Sequence, residues 1–163
     1  MVLKAIAQRR SIREYAPTAV SDAQVDELLR AAQFAPSAQN SRTTDFIVVR
    51  EQAAKDAIAG IMEKPFLKDA PVIIIPASGA KDIFYVQDIA IASENIFVQA
   101  AELGIGTLWK HVAPEQAIKI RALLGIPDDK KIVNLIPVGY PKEKTVPHGD
   151  ADFDRKRIHA DRW

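Results

Sequence analysis

Arg9-Arg10-Ser11-Ile12-Arg13 places three guanidiniums and a hydroxyl within five residues of a chain whose net charge is only +1. A guanidinium is planar, permanently charged and donates in a fork that matches phosphate, so this run has the chemistry of a local anion site, first of all for a phosphorylated small molecule. Read as the end of a short helix, the run sets Arg9 and Arg13 one turn apart with Ser11 between them. A basic cluster at a helix end also serves as a solvated complement to the helix dipole. What raises it above that must come from further along the chain.

Other candidate chemistry is sparse. His111, His148 and His159 are scattered and lack paired carboxylate spacing, so no metal site is expected. Ser37 follows Pro36 outside any G-x-S-x-G elbow, which leaves it as a loop hydroxyl capping backbone or as a ligand contact, not a hydrolase nucleophile. The chain has no cysteine, which excludes disulfides, thiolate metal sites and cysteine nucleophiles. Lys+Arg 22 against Asp+Glu 21 gives no broad basic face for nucleic acid or an acidic membrane. No stretch reaches the roughly 20 apolar residues of a membrane span, and the first residues do not read as a signal peptide. A cytoplasmic protein is expected.

The elements that must position these residues are legible from periodicity. At 163 residues and 48% hydrophobic, one domain over residues 1–163 is expected. Ser21 and Gln24 form a capping box before Val25, Leu28, Leu29 and Ala32, predicting a helix that stops by Pro36. Phe46–Val49 and Pro71–Pro76 read as strands, the second with its prolines at its ends; Ala54, Ala57, Ile58 and Ile61 mark a helix between them. Ile83–Leu103 is the longest element, apolar on nearly every side, and so expected to be buried by its own domain and by a second copy. Gly104 ends it, and the stretch to Trp109 is extended, its two glycines permitting close approach of a planar ligand. Pro114 and Gly125 bracket a further helix, and Ile132–Gly139 is the last strand. The polar tail ending in Trp163 is expected to pack across a partner. Without regular β-α-β alternation, the reading is an α+β domain with helices around a modest sheet.

Three blocks in order, Arg9-Arg10-Ser11-Ile12-Arg13, Ala35-Pro36-Ser37-Ala38-Gln39-Asn40 and Gly104-Ile105-Gly106-Thr107-Leu108-Trp109, resemble the FMN-dependent nitroreductase family. Asp88 with Asn95, Leu124-Gly125-Ile126-Pro127, Pro137-Val138-Gly139-Tyr140-Pro141 and Arg157-Ile158-His159 extend the resemblance over nearly the whole chain. It implies a central, mostly antiparallel sheet flanked by helices, in an entwined homodimer with two FMN sites at the subunit interface. By position, Arg9 would meet the FMN phosphate, Arg10 and Ser11 would add phosphate or ribityl contacts, and Arg13 would face the pyrimidine edge of the ring. Pro36, Ser37, Ala38 and Asn40 would reach the same flavin from the other subunit, and the backbone of Leu108, Trp109, Lys110 and His111 would run beside the ring. Arg157 would be a second phosphate contact.

The implied activity is reduction of a small electron-poor acceptor, a nitroaromatic or quinone, by NADH or NADPH through a ping-pong hydride mechanism. No catalytic side chain is then required, although His111, standing where relatives often carry glycine, has the chemistry of a proton donor. Arg42-Thr43-Thr44 departs from the family's aromatic wall and replaces it with a charge. The same residues leave two alternatives: a specialised flavin-destroying or dehalogenating relative, or a flavin-binding protein without turnover.

Overall fold

A computed structural model of the chain describes residues 2–79 and 83–163. At its centre lies β2 (Val72–Gly79). β1 (Asp45–Val49) pairs with it antiparallel along one edge. Along the other edge it pairs with β6 (Asn134–Gly139) and then β5 (Lys130–Ile132), both antiparallel. The far edge of β6 carries β3 (Gly106–Thr107) and β4 (Lys110–His111), again antiparallel.

Val72-Ile73-Ile74-Ile75 is apolar at every position because both faces of β2 are covered, successive side chains pointing to opposite sides. Ile73 and Ile75 join a cluster with Ile58 and Met62 of α3 (Gln52–Met62) and Ile120 of α5 (Pro114–Leu124). Val72 and Ile74 join another with Leu28 of α2 (Asp22–Gln33) and with Ile96 and Phe97 of α4 (Tyr85–Glu102). The capping box is formed: Gln24 N–H donates to Ser21 Oγ at 3.2 Å, and Ser21 N–H to Gln24 Oε1 at 3.0 Å. Asn95 donates from Nδ2 to the Ala31 carbonyl of α2 at 2.9 Å, which ties α4 to α2.

Two expectations are corrected. β2 does not stop at Pro76 but runs through it to Gly79. The residues of β6 and β5 pair with 72–74 and 77–79, so Ile75 and Pro76 face the junction, where a missing N–H costs no ladder bond. The strand expected over Ile132–Gly139 is two strands, broken at Val133, whose carbonyl turns aside to accept from Val112 N–H at 3.0 Å. Within the chain α4 buries one face, through Ile89, Ala92, Ile96, Phe97 and Ala100, and leaves Val86 and Ile91 exposed. Among the described residues no helix is long and apolar enough to cross a membrane.

The N-terminal segment lies on the sheet by way of a glycine pair. After α1 (Lys4–Gln8), Ser11 bridges Thr107 in parallel, and Ile12 N–H donates to the Thr107 carbonyl at 2.9 Å. Gly106 and Gly139 face one another across β3 and β6. A Cβ on Gly106 would stand 2.4 Å from Ile12 Cγ1, and one on Gly139 would stand 2.5 Å from Pro71 Cδ and 2.7 Å from Tyr15 Cδ1. Only hydrogen at these two positions lets Ile12 and Tyr15 seat. Gly106→Ala should therefore destabilise the fold by about 1–3 kcal/mol through overpacking. Gly60→Ala, on α3 with nothing within 4 Å of a new Cβ, should be neutral or stabilising by up to about 1 kcal/mol. Urea midpoints at constant m value compare them, and a Gly106→Ala protein as stable as wild type would show that the contact yields freely.

Candidate functional site

Arg9 to Arg13 are not the end of a helix. α1 stops at Gln8, and Arg9 leaves it with φ −58° and ψ 127°. The reason is the Ile12 amide, which bonds Thr107 and not the carbonyl four residues earlier. Ile12 is buried. On extended backbone side chains alternate, so Ile12 enters the protein while Arg9, Ser11 and Arg13 share the opposite side. Arg9 and Arg13 are then up to about 13 Å apart, too far to converge on one phosphate but well placed for the two ends of one elongated ligand.

The environments of these side chains differ. Arg9 is about one-third exposed, and its nearest carboxylate is that of Glu94 at 3.9 Å. Ser11 and Arg13 are exposed, and among the described residues Arg13 has no ion pair. Beside Arg13, Tyr15 donates its hydroxyl to the Ile12 carbonyl at 2.8 Å. Burial holds that phenol well above the ordinary tyrosine range, the Arg13 charge opposing only part of the effect, so Tyr15 remains a neutral donor.

Arg10 is differently engaged. Its Nε donates to the Val146 carbonyl at 2.6 Å and its Nη1 lies 2.7 Å from His148 Nε2. His148 N–H in turn donates to the Ala7 carbonyl at 2.8 Å, and its ring lies 3.2 Å from Asp152. The Gly149 N–H, and after it His148, hold the Asp152 carboxyl below the usual carboxylate range. Arg10 and the Ala7 carbonyl thus fasten the tail to the N-terminal segment. Arg157, farther along that tail, is exposed.

The second block forms a loop pinned at several points. Ser37 Oγ accepts from Arg42 N–H at 3.0 Å, the local backbone cap expected of a loop serine. Asn40 Oδ1 accepts from Arg42 Nε at 2.9 Å, leaving its NH2 group to donate outward. Ala38 N–H donates to Asp88 Oδ1 at 3.0 Å, and the Thr43 and Ser78 hydroxyls are 2.9 Å apart. Gln39, Asn40 and Arg42 all have left-handed backbone, with φ of 53°, 54° and 50°.

Along the third block, the pairs Thr107 with Val138 and Lys110 with Leu135 keep one register, and Leu108 and Trp109 fall outside the ladder between them. Leu108 is buried, so only its backbone can face a ligand. Trp109 is half-buried and packs with the α2–α4 cluster. His111 is exposed, and among the described residues its ring makes no hydrogen bond or ion pair. Lys110 Nζ donates to the His111 carbonyl at 3.0 Å.

These residues open into three cavities. Arg9 and Arg10 line one of about 170 Å³ with Gly106 and Thr107. Ser11 and Arg13 line another of about 260 Å³ with Lys142 and Lys144. Pro36, Ser37 and Arg42 line a third of about 390 Å³ with Phe34, Phe46 and Asp88. Within one chain the Arg9–Arg13 line and the Pro36–Asn40 loop therefore face different spaces. Among the described residues no cluster of His, Asp and Glu could hold a metal ion.

Sequence reasoning gave no role to Asp88, Tyr15 or the Arg10–His148 clasp. None has a local signal, because each depends on a contact made many residues away. The donor set does fit FMN: a guanidinium and a hydroxyl for a phosphate, and a separate unpaired guanidinium for the end of the ligand that gains negative charge.

The chain matches the nitroreductase family over residues 6–64 and 62–140. It is 41% identical over 172 residues to a protein of Methanothermobacter thermautotrophicus provisionally named NADH dehydrogenase/NAD(P)H nitroreductase, covering 99% of this chain and 87% of that one. The FMN-dependent nitroreductase of Clostridium difficile R20291 superposes with a TM-score of 0.91 at 31% identity, covering 98% of each chain. Iodotyrosine deiodinase 1 of Homo sapiens is more distant, 28% identical over 188 residues that span 93% of this chain and 64% of that one. The antiparallel sheet, the arginine line docked on its edge and these matches lead to one conclusion: the chain belongs to the nitroreductase family.

Proposed function

We propose that the chain is an FMN-dependent oxidoreductase that takes reducing equivalents from NADH or NADPH and passes them to a small electron-poor acceptor, a nitroaromatic or a quinone. The observation that carries this reading is the docking of Arg9–Arg13 as extended chain beside Thr107, which spreads two cations and a hydroxyl along one line. Arg9 and Ser11 hold the phosphate. Arg13 places positive charge beside the end of the flavin that gains negative charge on reduction. When bound, FMN supplies the two-electron hydride chemistry.

The backbone of Leu108 to His111 flanks the ring, with the Leu108 side chain kept in the core. Pro36, Ser37, Ala38 and Asn40 of a second copy form the opposite wall, in keeping with the separate cavities that the two groups line within one chain. Arg10 contributes by tethering the tail, and Arg157 on that tail adds a phosphate contact. The His111 ring, unpartnered among the described residues, stands ready to deliver a proton to the reduced acceptor. Acting as a single domain in the cytoplasm, the chain works as a homodimer. The exposed tail, with Phe153, Ile158 and a wholly exposed Trp163, packs on the second copy.

Purified protein should be yellow, should release FMN on denaturation, and should oxidise NADH or NADPH at a rate set by an added nitroaromatic or quinone. Flavin uptake without reduction by either nucleotide would leave a binding protein in place of an enzyme. Arg9→Ala should lower FMN retention by about 30-fold, near the 2 kcal/mol end of the range for stripping one side of a partly buried charge pair. Lys119→Ala, on the exposed face of α5, should retain FMN like wild type, and equal retention in both variants would place the phosphate elsewhere. Removing residues 150–163 should convert a dimer to monomer in sedimentation; an unchanged dimer would show that the tail covers nothing on a second copy.

A further inference from the structure

Asp88 is only 4% exposed, and the chemistry above gives it no part. It sits in the first turn of α4, where an aspartate ordinarily accepts from the free N–H groups of its own helix. Here the carboxylate is turned elsewhere. Oδ1 accepts from Ala38 N–H at 3.0 Å, and Oδ2 lies 3.5 Å from the Ser41 hydroxyl. Both partners belong to the 37–42 loop.

That loop needs holding. Gln39, Asn40 and Arg42 carry φ values of 53°, 54° and 50°, a region that side chains with a Cβ avoid. Such conformations persist where the surroundings over-determine them. The bonds from Arg42 to Ser37 and Asn40 tie the loop to itself, and Thr43 with Ser78 anchors its exit to β2. Asp88 anchors its entry to α4. A carboxyl group this deeply buried is costly without its hydrogen bonds, so helix and loop depend on each other.

We infer that Asp88 is a positioning residue, holding the Pro36–Asn40 loop in the strained shape in which it walls the cofactor, with both oxygens spent on the loop and none on the ligand. This rests on the cofactor reading proposed above. It also separates two jobs on α4: the Ile89–Ala100 face builds the core, and the first turn sets the shape of the site.

The test compares wild type, Asp88→Ala, Asp88→Asn and Ser41→Ala as intact dimers. Three quantities are read: hydrogen exchange in the 36–42 segment, the FMN dissociation constant and kcat at saturating FMN. Asp88→Ala should speed exchange in 36–42 and weaken FMN, each by about tenfold, with kcat within about twofold. Exchange across 89–102 should not change. Asp88→Asn keeps an acceptor for Ala38 N–H and should recover most of both losses. Ser41→Ala, which loses only the longer contact at an exposed residue, should speed 36–42 by about threefold, and it keeps the test decisive if Asp88→Ala does not fold.

Unchanged exchange in 36–42 together with wild-type FMN affinity would overturn the inference. So would faster exchange throughout the chain with no recovery in Asp88→Asn, the pattern of lost core stability. A wild-type protein that takes up no flavin would sink the cofactor reading instead, and the exchange comparison alone would then decide whether Asp88 locks the loop.

Discussion

The contact on which the rest of the site depends is the seating of Ile12 and Tyr15 over two glycines that face each other across β3 and β6. Gly106 and Gly139 leave bare backbone where any side chain would collide with Ile12, Tyr15 or Pro71. The consequence runs outward from there. Because Ile12 is buried and its amide bonds Thr107, the segment must be extended, and because it is extended the arginines cannot cluster. A basic run that would otherwise be a solvated patch becomes a ruler, with charge at two separated points and a hydroxyl between.

The same alternation sorts the arginines by function. Arg10, one residue out of phase with Arg9, points to the tail, its Nε on Val146 and its Nη1 on His148. Arg9 and Arg13 keep their guanidiniums largely unneutralised, which costs little at a partly exposed position and leaves them available to an anionic ligand. The 37–42 loop, which lines a different cavity, follows the opposite strategy. Its backbone is strained, and Ser37 Oγ, Asn40 Oδ1 and Arg42 Nε are spent within the loop, so its contribution is chiefly shape. A line of charge on one edge and a rigid wall on another, opening into different cavities, suit a ligand sandwiched between two copies of the chain.

Much of this was legible in the sequence. The capping box at Ser21 and Gln24, the apolar run of β2 and the stop at Gly125 are local signals, and the elements follow them. The order and spacing of the three blocks pointed to the nitroreductase family, to which the chain belongs. The rest failed for tertiary reasons. The Arg9–Arg13 run carries no mark of being extended, since that is decided by Thr107, nearly a hundred residues away. Pro76 reads as a terminator until the junction of β5 and β6 is seen to leave its missing N–H without consequence. Asp88 looks like a helix-start residue, and only the folded chain shows it reaching Ala38.

The central claim is that Arg9 and Ser11 read a phosphate while Arg13 reads the other end of the same ligand. Flavin titrations of the apoprotein with FMN and with riboflavin, in wild type, Arg9→Ala and Arg13→Ala, separate these ends most directly, because the two flavins differ only in the phosphate. The account predicts that wild type and Arg13→Ala prefer FMN over riboflavin by a similar ratio, and that Arg9→Ala loses most of that preference while still binding riboflavin. An FMN preference undiminished in Arg9→Ala, or one lost equally in Arg13→Ala, would contradict it.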